Sequence, residues 1–191
     1  RAGVKNVLFQ PLALLDLEWN HRPTSGFQRV KNAMSCYPFR SLPYDGYKCS
    51  IALFLAEFLS YALREEQHGT AMFEYVFTSI QWLDTAQKSF SNFHLVFLMR
   101  LARFLGFYPN LENYSAGNYF DMMNSCFVPV QPLHPHFVVP EDAVRLPLLI
   151  RMNYETMHLF AFSRRERERL LNFVNDYYRL HLPSFPELKS L

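Results

Sequence analysis

The chain has 191 residues, half of them hydrophobic, and a formal net charge of +2. That length suits one domain, or a domain plus a small part of another, and it can bury a core without disulfide staples. The near-neutral charge argues against a strongly basic nucleic-acid binder while leaving room for a local basic patch, and no apolar run reaches the roughly 18 uncharged residues of a membrane helix.

Residues 4–18 read as extended, with Leu15, Leu17 and Trp19 alternating against Asp16 and Glu18. Residues 20–26 are a turn by composition, and residues 27–33 form a second short strand, giving a hairpin. A lone hairpin is marginal in water, so it is expected to belong to a larger sheet, most of it upstream. Residues 38–46 form a linker punctuated by Pro38, Pro43 and Asp45-Gly46.

From Tyr47 the period becomes helical. Ile51, Phe54, Leu55, Phe58, Leu59 and Ala62 line one face of a first helix. A second runs over 70–84, with Phe73, Val76, Phe77, Ile80 and Leu83 apolar; a third covers 92–105 and stops at Gly106 ahead of Pro109. An antiparallel bundle is the economical packing for such neighbours.

Prolines at 109, 129, 132, 135 and 140 exclude a long helix over 108–142, which reads as an irregular excursion or a small unit with strands near Tyr119-Phe120 and Phe127-Val128. A short helix over 143–154 must place Pro147 near its first turn. Ser163-Arg164-Arg165-Glu166 is a capping box, followed by the apolar face Leu170, Leu171, Val174, Tyr177 and Tyr178. After Pro183, residues 185–191 begin one more helix. The first residue is Arg rather than Met, without a secretory leader pattern, and the far end stops inside a helical pattern, so the chain is expected to be a piece of a longer cytoplasmic protein. The fold class that follows is mainly α: a helical bundle with a Pro-rich excursion, preceded by a short β-hairpin.

Catalytic signatures are not evident. There is no phosphate loop, dinucleotide fingerprint or nucleophile elbow. Cys36, Cys49 and Cys126 are odd in number and far apart, which fits reduced thiols better than a disulfide framework or a zinc site. Asp84, Glu112, Asp121 and Glu141 are expected to be solvated surface acids, His134 and His136 exposed loop histidines, and His94 a hydrogen-bonded structural histidine. Trp82, Tyr177 and Tyr178 are expected to pack in the core or at its edge.

The arginines carry more information. Arg100 and Arg103 lie one turn apart among Leu98, Met99, Leu101 and Phe104, so two guanidiniums beside an apolar face could hold an acidic peptide. Arg164, Arg165, Arg167 and Arg169 crowd a helix N-terminus, where the dipole disfavours cations. They form either a salt-bridged solvated face or a contact for a partner, including phosphate. Arg22, Arg29, Lys31 and Arg40 are a looser basic set that could follow a nucleic-acid backbone, with Phe27 or Tyr37 for stacking.

Several blocks carry a family resemblance. They are Leu8-Phe9-Gln10-Pro11-Leu12 before the alternating strand, Phe27-Gln28-Arg29-Val30-Lys31, and Phe39-Arg40-Ser41-Leu42-Pro43-Tyr44-Asp45 leading into the run from Lys48 to Glu57. The run from Phe93 to Pro109 is an apolar helix closing on Leu105-Gly106-Phe107-Tyr108-Pro109. Tyr119-Phe120-Asp121, Cys126-Phe127, Leu180-His181-Leu182 and the stretch after Phe185 complete the series. In this order and spacing, over essentially the whole chain, they resemble the RecO family of DNA repair proteins.

The resemblance implies an N-terminal oligonucleotide-binding barrel followed by a helical domain. Residues 1–38 would be the last strands of a truncated OB-fold and a linker, and 39–191 the helical domain. Residues 108–142 match a segment that in many members is a four-cysteine zinc finger; with only Cys126 there, no zinc and no other cofactor is expected. The resemblance also implies a non-enzymatic mediator of recombinational repair at the bacterial nucleoid. It would bind single- and double-stranded DNA, anneal strands, and work with RecR and RecF to load RecA on strands covered by single-strand-binding protein. Some members bind the acidic, phenylalanine-ended tail of that protein, a ligand that Arg100, Arg103 and Phe104 would suit. Two alternatives stand beside this one: a helical protein–protein adaptor without nucleic-acid contact, and a metal-dependent hydrolase using His134, His136 and Asp121.

Overall fold

The structure, a computed structural model, describes residues 6–24, 26–64 and 69–190. Residues 4–5 of the expected first strand, Ser25 of the expected turn and the last residue of the expected terminal helix therefore lie outside the described residues. The chain opens on a 3-10 turn, Asn6–Leu8, where an extended segment was expected. Strands β1 (Leu15–Asn20) and β2 (Arg29–Ser35) pair antiparallel, Leu17 opposite Ala33, with an irregularity between Glu18 and Trp19. The alternation thus marks a strand, yet neither of its faces is well covered. Trp19 and Met34 are more than half exposed.

Asp45 caps α1 (Gly46–Ala62) by accepting from the N–H groups of Tyr47 and Lys48. Helix α2 spans Thr70–Thr85 and α3 Phe93–Phe104. The boundaries follow the hydrophobic period, with one exception on α2: Phe73, expected on the core face, is 65 % exposed, while Met72 takes the buried position beside it. Helix α3 is the axis of the bundle. Phe93, the run Leu95–Met99, Leu101 and Ala102 are all buried, leaving its exposed edge mainly to Arg100, Arg103 and Phe104. A helix apolar nearly all round must be enclosed, and α3 touches α2 and two later helices, α5 (Leu146–Arg151) and α6 (Arg164–His181). Its stop is a Schellman arrangement. Phe107 N–H donates to Ala102 O and Gly106 N–H to Arg103 O, with Gly106 at φ +86°, a conformation that favours glycine.

The Pro-rich excursion contains β3 (Tyr119–Asp121) and β4 (Cys126–Val128), as expected, and a third strand, β5 (Phe137–Val138), that pairs with the other edge of β3. Phe120 and Phe127 are buried and meet at 5.1 Å, and Phe120 faces Phe173 and Tyr177 of α6. The single helix expected over 143–154 is two short ones, α4 (Pro140–Ala143) and α5 (Leu146–Arg151), each with a proline in its first turn. A proline lacks the N–H that a helix interior needs, so each one marks a start rather than a continuation.

Helix α6 (Arg164–His181) begins with the expected capping box: Ser163 Oγ accepts from Glu166 N–H while the Glu166 carboxylate accepts from Ser163 N–H. The two Ser163 donors also hold the Glu166 carboxyl below its ordinary value. Ser163→Ala is expected to lower stability by about 1 kcal/mol, measurable as a reduced urea midpoint with an unchanged slope. Tyr177 and Tyr178 are wholly buried.

The helix expected after Pro183 does not form among the described residues. Instead Phe185 and Leu188 are buried, Phe185 against Phe58 at 4.8 Å, and Glu57 accepts from the N–H groups of Lys189 and Ser190 and from the Ser190 hydroxyl. So short a helix has an unfavourable nucleus. The non-helical path lets both apolar side chains reach the core while a carboxylate satisfies the backbone donors.

Candidate functional site

The exposed edge of α3 opens onto a cleft of about 660 Å³. Arg100 and Arg103 stand on one rim, one helical turn apart, and Arg151 in the last turn of α5 stands on another. Between them lie Tyr75, Phe104 and Tyr108, with Ile150 and Met152 beneath. Phe104 is 43 % exposed and stacks on Tyr75 at 5.2 Å.

The floor is held by hydroxyls. Tyr75 donates to Phe97 O at 2.9 Å and sits 3.1 Å from the Tyr154 hydroxyl, which donates to Ser79 Oγ at 2.8 Å. Burial first, and the neighbouring Tyr154 second, push the Tyr75 phenol far above its ordinary value, so it is neutral throughout the physiological range. The guanidiniums of Arg100 and Arg103 lie 5.7 Å from the rings of Tyr154 and Tyr108 respectively, within cation–π range. None of the three arginines has an ion-pair partner among the described residues. Arg100, Arg103 and Phe104 are therefore brought together as expected, and Arg151, Tyr75 and Tyr108 join them. Tyr75 and Arg151 lie on other helices, so no local period could have revealed them, while Tyr108 follows α3 closely in the loop after Gly106. Three unpaired cations around stacked rings can hold an anionic ligand with an aromatic or aliphatic end. Among the described residues the lining contains no carboxylate, histidine, thiol or aliphatic hydroxyl to act as base or nucleophile.

The other basic residues fall into two sets on different elements. On α6, Arg164 and Arg165 are exposed and without an ion pair among the described residues. Arg167 is half-buried and donates to Phe162 O, and Arg169 lies 3.4 Å from Asp142. Glu166 pairs with Arg145 at 3.5 Å rather than with the arginines of its own helix. On the hairpin and junction, Arg22, Arg29 and Arg40 are exposed, while Lys31 is tied to Glu18.

Two expected surface acids are buried. Asp84, 1 % exposed, accepts from the N–H groups of Arg40, Ser41 and Leu42 and from the Tyr37 hydroxyl. Asp121, 5 % exposed, accepts from Met123 N–H and Asn124 N–H and closes the turn between β3 and β4. In both, burial alone would raise the carboxyl pKa, but the donors outweigh it and the net shift is downward. Each carboxylate replaces missing backbone acceptors in a tight segment, and spacing cannot show this.

His134 is not freely exposed. Its Nε2 lies 3.3 Å from Asp121 Oδ1 and its Nδ1 accepts from His136 N–H, while His136 itself is exposed. Among the described residues no three His, Cys, Asp or Glu side chains converge as metal ligands would. The Nδ1 of His94 is buried without a hydrogen-bond partner among the described residues, contrary to expectation. No helix among the described residues is long and apolar enough to cross a membrane.

Residues 43–191 match the family described as Recombination protein O C terminal. The chain is 62 % identical over 191 residues to the DNA repair protein RecO of Phocaeicola vulgatus, covering 100 % of this chain and 79 % of that protein. It is 47 % identical over 183 residues to the DNA repair protein RecO of Azobacteroides pseudotrichonymphae, covering 96 % and 76 %. It is 36 % identical over 190 residues to that of Porphyromonas gingivalis, covering 98 % and 78 %.

Proposed function

Because the chain belongs to the RecO family of DNA repair proteins, we propose that it is a non-enzymatic repair mediator that grips an acidic protein tail in its helical bundle and DNA on its basic edges. The observation that carries the first half is the cleft between α3 and α5. Arg100, Arg103 and Arg151 line it with no ion-pair partner among the described residues, and the Tyr75–Phe104 stack offers a flat apolar seat. A phenylalanine-ended acidic tail, as on single-strand-binding protein, supplies both complements: a ring for the stack and carboxylates for the guanidiniums.

DNA binding rests on Arg22, Arg29, Lys31 and Arg40 of the hairpin and junction and on Arg164, Arg165 and Arg167 of α6. Of these, Lys31 already has Glu18 as partner and contributes least. Strand annealing and recombinase loading with RecR and RecF would follow from holding the tail and the DNA together. In this reading residues 1–38 belong to the DNA-binding end and 39–191 to the tail-binding domain, whose 108–142 segment is a metal-free counterpart of a zinc finger.

Titration of an acidic, Phe-ended peptide tests the assignment. Arg103→Glu is expected to weaken it about tenfold to a hundredfold, since a charge-assisted contact of roughly 1.5–3 kcal/mol is lost and a repulsion added. Arg151→Glu should act in the same direction, and unchanged affinity in both variants would remove the cleft from the mechanism. The adaptor alternative differs in one measurement: it allows no salt-dependent DNA binding, whereas phosphate contacts impose a steep slope of affinity against salt.

A further inference from the structure

A second cavity shares no lining residue with the cleft above. It has about 430 Å³ and sits between the start of α1, the segment before α3 and the first turns of α6. Two of its walls are rings: Tyr47, 81 % exposed, and Phe90, half-buried. Ile51 adds an apolar surface, and Ser50, Ser89 and Ser91 place hydroxyl-bearing residues around it. Its cationic lining residue is Arg167, and Arg164 and Arg165 stand exposed within one turn on the same helix.

His94 completes the lining and has an unmet bond, because its Nδ1 is buried and has no hydrogen-bond partner among the described residues. Burial first, and the Arg167 guanidinium second, push the imidazole pKa down to about 4, so near neutral pH it presents a neutral, hydrogen-bonding ring.

We infer that this cavity is a seat for one unstacked nucleobase of single-stranded DNA, with the flanking phosphates on Arg167, Arg165 and Arg164. The volume falls within the range that encloses a small ligand. Aromatic walls accept a base face whatever its sequence, and the cations sit where a backbone would pass. His94 selects a base over a phenylalanine ring. A phenyl group would fill the apolar part but leave the buried His94 Nδ1 without a partner, and a buried polar group without a partner is costly. This inference rests on the DNA-binding reading given above and adds a site and a ligand group to it.

The test compares two labelled single strands of about 15 residues, oligothymidylate and an abasic strand with the same phosphates. Wild-type chain should prefer the thymidine strand. Tyr47→Ala, which removes an exposed wall, and Ser50→Leu, which plugs the cavity from an exposed helix position, should each reduce that preference by about tenfold with little change in abasic-strand binding. Arg165→Glu should weaken both strands alike. If neither cavity variant alters the preference, the base seat is wrong while DNA binding stands. If the wild-type chain binds neither strand, the DNA reading falls and the seat with it. If an acidic, Phe-ended peptide binds here, losing affinity in Ser50→Leu but not in Arg103→Glu, the cavity is a peptide site and the inference is overturned.

Discussion

Asp84→Ala is expected to destabilise the chain by about 3–5 kcal/mol, an effect of the size seen when a buried charged group loses its partners. The carboxylate accepts from three successive backbone N–H groups, Arg40, Ser41 and Leu42, at 2.8–2.9 Å for the shortest contact of each, and from the Tyr37 hydroxyl at 3.3 Å. The backbone oxygen of the same residue accepts from Lys48 Nζ at 2.9 Å and from the Ser41 hydroxyl. One residue at the end of α2 therefore fixes the path by which the hairpin enters the bundle. Alanine leaves three backbone donors without that acceptor, Leu42 N–H in a buried place and Arg40 and Ser41 N–H in part-buried ones. Urea melts at neutral pH measure the loss, and hydrogen exchange should show it concentrated at residues 40–42. A loss under about 1 kcal/mol would mean that water replaces the carboxylate at little cost.

The pH dependence has a definite sign. Burial raises the Asp84 carboxyl pKa, the donors of Arg40, Ser41 and Leu42 lower it more, and the result lies below the ordinary 3.8. Its stabilising contribution is then complete above that ordinary value and is lost as pH falls through the folded-state value. Asp84→Ala should therefore remove part of the acid sensitivity of unfolding. Lys48 behaves differently: burial lowers its pKa, against the opposing pull of Asp84 and Asp45. Its buried ammonium is partly a burden, so Lys48→Met should cost less than Asp84→Ala.

Tyr178→Ala is the second large effect, about 3–5 kcal/mol, typical of an aromatic residue removed from a core. The side chain is wholly buried, and its ring lies 4.7 Å from Phe58, 4.9 Å from Phe107 and 5.9 Å from Phe185. It thereby joins α1, the end of α3, α6 and the final segment. Its hydroxyl donates to Leu98 O at 2.7 Å. Tyr178→Phe removes that bond alone and should cost about 1 kcal/mol, because most of the residue's work is packing. Equilibrium unfolding of the two variants separates ring from hydroxyl; equal losses would show that the hydrogen bond rather than the volume holds α6 in place.

Helices α1, α2, α3 and α6 were legible because their signals are local. Apolar spacing, Gly106 after α3 and the Ser163–Glu166 box all act within a few residues of one another. Strand β5 was hidden because two residues, Phe137 and Val138, between Pro135 and Pro140 carry no period of their own and become a strand only by pairing with β3. The final segment misled for the opposite reason. Its composition suits a helix, but Phe185 and Leu188 find the core and Glu57 takes the backbone donors. Among the candidate site residues, Arg100, Arg103 and Phe104 share one helix turn and could be grouped from their spacing. Arg151 could not, since only the packing of α5 against α3 brings it to the same cleft.

From sequence alone come the family, the mainly helical class, the capped starts and glycine stop of the long helices, and the pairing of arginines with an apolar edge on α3. These depend on what each residue does to its nearest neighbours. Tertiary structure alone decides that Asp84 and Asp121 are buried clamps rather than surface acids, that Phe73 faces outward, and that Arg151 and Arg167 each complete a cavity. The reason is that burial and the presence or absence of a counter-charge are properties of space, set by residues far apart along the chain.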